Sequence, residues 1–178
     1  MSKNTKAGYD GQIARATEGI RDRLGRLSEV KNELEANVRS LIDDDGDRPA
    51  LIARREGLLA EQDALVAEVA ELKARRSAAE RMKAQDAYAA AQAEAQEAQA
   101  KALTCRRALD AALNAMRQWR NTEGRGSYTE KSAVEGAHLE HVIVDARQAS
   151  VRAGALARQA GARRDDAAQT LADIEAAS

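Results

Sequence analysis

Apolar residues recur in steps of three and four along almost the whole chain, the spacing of helices that lie against other helices. The clearest run passes through Tyr88, Ala91, Ala95, Ala98, Ala102, Cys105, Leu109, Ala112, Met116 and Trp119, and none of these positions is polar. Alanine is too common here for its placement to decide anything. The other apolar residues of the stretch are Tyr88, Leu103, Cys105, Leu109, Leu113, Met116 and Trp119. Five of these seven fall in the stripe, where chance would put about two.

This stripe occupies the second half of a helix predicted over 49–121, about 110 Å long at 1.5 Å per residue. The first half carries Leu51, Leu58, Leu65 and Leu72 at sevens, flanked by Ile52, Leu59, Val66 and Val69. The two stripes are out of phase. The leucine frame continues to Ala79 and Asp86, whereas the alanine frame runs back through Ala84 and Arg81, so the seam shifts between Arg76 and Ala87 as at a stutter. One helix with two stripes predicts two partners along its length.

A first helix is predicted over 13–42. Its stripe reads Ile13, Thr17, Ile20, Leu24, Leu27, Lys31, Leu34, Val38 and Leu41, with Thr17 and Lys31 weakening one of its two rows. A third helix is predicted over 130–177. Its stripe is Leu139, Val142, Ala146, Ala149, Ala153, Leu156, Ala160, Arg163 and Ala167, ending with Leu171 and Ile174. Beside it Ser150, Gly154, Ala157, Gly161 and Ala168 form a face of small residues, and glycines inside a helix suggest that backbones approach closely there.

Two breaks separate the helices. In the first, Asp43-Asp44-Asp45-Gly46-Asp47-Arg48-Pro49, Gly46 closes one helix, and Asp47 or Arg48 with Pro49 opens the next. The second, 121–129, holds Gly124 and Gly126, and Ser127 with Glu130 has capping-box spacing for a restart. The polar segment 1–12, with Gly8 and Gly11 beside Tyr9, reads as a flexible arm. The expected fold is all-α: extended antiparallel hairpins or coiled coil, a ~70-residue central helix with a shorter helix folded back on each half. Residues 13–178 then make a single elongated unit.

Composition narrows the function classes. Charged residues make up 32% and aromatics 2%, there is no Phe, and one Pro lets helices run unbroken. Alanine buries little area, so such helices draw on propensity and on neighbours, among them other copies of the chain. The net charge of −1 gives no field to hold nucleic acid or anionic lipid. The arginine pairs Arg54/Arg55, Arg75/Arg76, Arg106/Arg107 and Arg163/Arg164 are interleaved with acids, as in Glu71 with Arg75 and Glu97 with Lys101. The N-terminus lacks a secretory core and no apolar run reaches membrane length, so a cytoplasmic protein without a membrane span is expected. Cys105, the one cysteine, lies on the stripe as a packed thiol.

No catalytic residue, cofactor-binding residue or metal ligand is assigned, and no small-molecule substrate is expected. Glu135-x-x-His138 has the spacing of one arm of a di-iron site, but His138 and His141 are the only histidines and share a helix. The Asp43–Asp47 run fails as a calcium loop, because Leu41 and Ile52 would occupy its first and last ligand positions. What remains is contact. The packing seam is Leu51, Leu58, Leu65, Leu72, Tyr88, Ala95, Ala102, Cys105, Leu109 and Met116. A basic, aromatic tip, with Arg117, Trp119, Arg120, Arg125, Tyr128 and Lys131, gathers the residue types that anchor protein interfaces. These features predict a non-enzymatic structural or assembly protein, homo-oligomeric, a component of a virion or other large particle. The alternative is an adaptor hairpin that presents this tip to a protein.

Overall fold

In the computed structural model, which describes residues 3–43, 47–122 and 130–177, the chain is all-α with a long central helix. The helices are α1 (Lys3–Ile42), α2 (Arg48–Thr122) and α3 (Glu130–Ala176). Asp47 opens α2: its carbonyl accepts the Leu51 amide at 3.0 Å, and Pro49 lies in the first turn, where a missing N–H is tolerated. Internal packing divides the chain into two compact units. One unit comprises 1–84 with 174–178, the other 85–173.

α1 begins ten residues before the expected start at Ile13, so 3–12, read above as an arm, is helical. Gly8 and Gly11 each lower helix propensity by about 1 kcal/mol relative to alanine. Tertiary contact offsets this: Tyr9 and Gly11 are half-buried, and Asp10 pairs with Lys83 at 2.6 Å.

In the first unit the partners of α1 run backwards along α2. Asp10 meets Lys83, Gly19 faces Leu72, Arg23 meets Glu68, Arg26 meets Glu61, and the Asn37 amide donates to the Leu51 carbonyl at 3.1 Å. One predicted row of α1 lies inward: Ile20 is buried, and Ile13, Leu27, Leu34 and Leu41 are half-buried. Its companion row is corrected. In place of Leu24, Lys31 and Val38, the inward row is Ala16, Arg23, Val30 and Asn37, with Thr17 half-buried beside it. Val30 is 0% exposed and Leu24 50%. Both rows keep three-four spacing and each holds two apolar residues, so periodicity alone cannot choose between them. Their flanks do. With Val30 inward, Arg26 and Glu33 stand beside Glu61 and Arg54 and form ion pairs at 2.8 and 3.6 Å.

On α2, Leu58, Val69 and Ala79 are buried and Leu51, Leu65 and Leu72 half-buried. From Ala84 the inward positions follow the other frame, through Tyr88, Ala91 and Ala95. Around the change Arg76, Ser77, Ala79, Glu80, Arg81, Lys83 and Ala84 are all at least half-buried. Part of that cover is the end of α3, where Ile174 and Ala177 line a groove with Ile20, Lys73, Ser77 and Glu80 of the same unit.

In the second unit α2 and α3 also meet in opposite chain directions. Glu94 pairs with Arg163 at 2.7 Å, and Trp119 lies against Gly136. The inward rows of α3 again retain one predicted row and replace the other. Leu139, Ala146, Ala153, Ala160 and Ala167 lie inward, as does Leu171 of the predicted stripe; Gly136, Ile143, Ser150, Ala157 and Arg164 join them in place of Val142, Ala149, Leu156 and Arg163. Leu156 is 61% exposed. Ser150 and Ala157 of the small face thus lie inward, where a short side chain lets helices close up and a leucine row would hold them apart.

Candidate functional site

Leu58, Ala95 and Met116 are buried, and Leu51, Leu65, Leu72, Tyr88, Ala102, Cys105 and Leu109 are half-buried along the two frames of α2. The leucines belong to the first unit and the stretch from Tyr88 to the second, so the structure gathers them on two separate seams.

Around the second seam lies an open groove of about 470 Å³ whose lining includes Lys101, Cys105, Ala149, Leu156 and Arg163. Its polar rim is made of ion pairs. The Lys101 ammonium donates to the Glu97 carboxylate at 2.6 Å; that hydrogen bond holds Glu97 below its ordinary value and Lys101 above. Asp165 acts on Arg164 in the same direction, and the Glu61 hydrogen bond, followed by that of Glu29, raises Arg26. All of these shifts favour the charged forms, as ion pairs on a solvent-screened surface do.

The tip is only partly in view. Trp119 is half-buried, with its ring over Gly136 and its Nε1–H buried without a partner. Arg117 and Arg120 are exposed and border a groove of about 440 Å³ with Leu113, Met116, Ile143 and Val144. Lys131 lies in the first turn of α3, while Arg125 and Tyr128 lie outside the described residues. The described part therefore joins Trp119 to α3 through Gly136, a contact that spacing did not reveal. Its one sequence signal is Gly136 itself, a glycine near the start of a helix where the helix cap does not call for one.

His138 is exposed, and His141 stands 3.5 Å from Asp145 on the surface of α3. Among the described residues no group of three or more His, Cys, Asp or Glu side chains converges as a metal site would require. No described helix is long and apolar enough to cross a membrane. The residues that sequence reasoning missed are Val30 and Asn37 on α1 and Ile143 on α3. Complementary charges on neighbouring rows, Arg26 and Glu33 against Glu61 and Arg54, are the signal that could have found the first two.

Comparison of the chain with family models, with curated proteins and with solved structures gives no match.

Proposed function

We propose that this chain is a non-enzymatic structural protein that works by helix packing and self-assembly, as a building unit of a virion or similar large particle. Each unit is read as an antiparallel coiled-coil pair: α1 folds back on the leucine half of α2, and α3 on its alanine half. The reverse order of partners along the helices supports that arrangement, as do the two inward rows at three-four spacing on each helix.

The observation that carries the assembly reading is surface. The chain exposes 12808 Å². A compact monomer of its 19.2 kDa exposes roughly 8,400 Å². Exposed apolar side chains, among them Leu24, Ile42, Ile52 and Val66, add to that surface. A protein that buries so little of itself gains most of its remaining apolar stabilisation from neighbours. The adaptor reading has less support, because Trp119, its central anchor, packs on Gly136 within the second unit.

Sedimentation velocity and light scattering over micromolar concentrations test the proposal. The expected result is a species whose mass is a multiple of 19.2 kDa. A monodisperse monomer throughout that range overturns it.

A further inference from the structure

The two flanks of the α1–α2 seam differ in chemistry. On one flank Arg26 pairs with Glu61 and Glu33 with Arg54, which puts the rows of Arg26/Glu33 and Arg54/Glu61 side by side. The rows on the far side of the seam, Thr17/Leu24/Lys31/Val38 on α1 and Ile52/Leu59/Val66 on α2, must therefore share the opposite flank. The levels match. Arg23 meets Glu68 and Asn37 meets Leu51, so Leu24 stands beside Val66 and Val38 beside Ile52. Leu24, Val38, Ile52, Leu59 and Val66 are all exposed there, and Lys31 is the one charge in the two rows.

We propose that this flank is the self-association surface, docking the same flank of a second copy of the chain into a four-helix arrangement, a proposal that rests on the self-assembly reading. Three observations point to a second copy. First, the flank meets further chain where it continues: past Val66 it runs on to Lys73 and Glu80, and there Ile174 of α3 and Ala177 just beyond it line a groove with them. Second, Ile52, Leu59 and Val66 repeat every seven residues, a spacing that a partner of the same helical pitch matches along its length. Third, the area reaches the low end of a stable interface. From Thr17 to Val38 the flank is about 30 Å long and two helices, about 20 Å, wide, a footprint of about 600 Å² that approaches the ~800 Å² per partner of a standard interface. With 28 basic and 29 acidic residues, copies meet without net repulsion.

Three full-length proteins are compared by sedimentation velocity, with helix content followed by circular dichroism: wild type, the double variant Leu59→Glu/Val66→Glu, and Leu156→Glu as a control in the second unit. The expected result is an oligomer for wild type and control, and a dissociation constant raised at least tenfold for the double variant at unchanged helix content. An oligomer that survives in the double variant, or one that breaks only with Leu156→Glu, overturns the flank and leaves self-assembly standing. A monomeric wild type removes both. Should the double variant lose helix, a nitroxide on Asp63→Cys in a Cys105→Ser background decides from the intact flank. Labels in neighbouring copies are then expected within two to three helix diameters, about 20–30 Å. A longer separation overturns the proposal.

Discussion

At Gly136 the absence of one carbon sets how an aromatic ring packs. A Cβ placed there would stand 2.6 Å from Cη2 of Trp119 and 2.7 Å from Cζ2, closer than carbon atoms can lie. Trp119 is half-buried with its Nε1 enclosed, so its ring has limited room to retreat. Gly161 is the contrast, since a Cβ there meets nothing within 4 Å. Alanine at either position gains about 1 kcal/mol of helix propensity, but at Gly136 the clash costs about 1–3 kcal/mol. Gly136→Ala is therefore expected to lower the denaturation midpoint, with partial recovery in Gly136→Ala/Trp119→Leu, and Gly161→Ala is expected to raise it. Urea titrations of the three variants check this, and a Gly136→Ala protein as stable as Gly161→Ala refutes the contact. The small face of α3 suggested close backbone approach at Gly154 and Gly161. A Cβ on Gly154 would meet only the Arg158 guanidinium, at 3.8 Å, so the glycine that packing requires on this helix is Gly136.

For the helices, the question is register. Asn37 is 4% exposed on α1; its amide reaches the Leu51 carbonyl, and its Oδ1 is buried without a partner. A buried acceptor left unsatisfied costs about 1–3 kcal/mol, more than one hydrogen bond returns. Asn37→Leu, which keeps the number and branching of side-chain heavy atoms, is therefore expected to stabilise the chain by about 1 kcal/mol while removing a polar contact that pins α1 against α2. Chemical denaturation reads the gain, and a lower midpoint in Asn37→Leu counts against this account. Helix positions were largely legible, because a 3.6-residue period repeated over tens of residues leaves few alternatives to a helix. On α1 and α3 one inward row was legible and the other was not. Leu24 and Val30 compete for the seam at equal spacing from Leu27, and the choice falls to Glu61 and Arg54 on a different helix. Ser150 and Leu156 compete in the same way. Hydrophobicity favours leucine, but the alanines opposite favour the smaller residue.

For the whole chain the governing fact is how much surface stays exposed. Self-association that covers this surface stabilises the folded chain by mass action. The thermal midpoint is therefore expected to rise with protein concentration across the micromolar range, as followed by circular dichroism. A midpoint independent of concentration, in protein that sediments as an oligomer, would mean that assembly does not contribute to folding stability. The candidate site was partly legible at this scale. The seams stand out because whole rows repeat. The α1–α2 flank does not, because Leu24 and Val38 look like core residues until Val30 and Asn37 are found in their place.

By itself the sequence determined that this protein is helical, where its two breaks fall, and that α2 carries two frames which change near Ala84. Those properties depend on neighbours within one or two turns, and period, propensity and capping report them directly. Only the tertiary structure decided which second row of α1 and α3 turns inward, that 3–12 continues α1, that Trp119 rests on Gly136, and that the chain packs as two units. Each of these depends on a residue far along the chain: Glu61 for Arg26, Lys83 for Asp10, Trp119 for Gly136. A helical period says how often a helix turns a face to its partner. Which face it turns is decided by the partner's side chains.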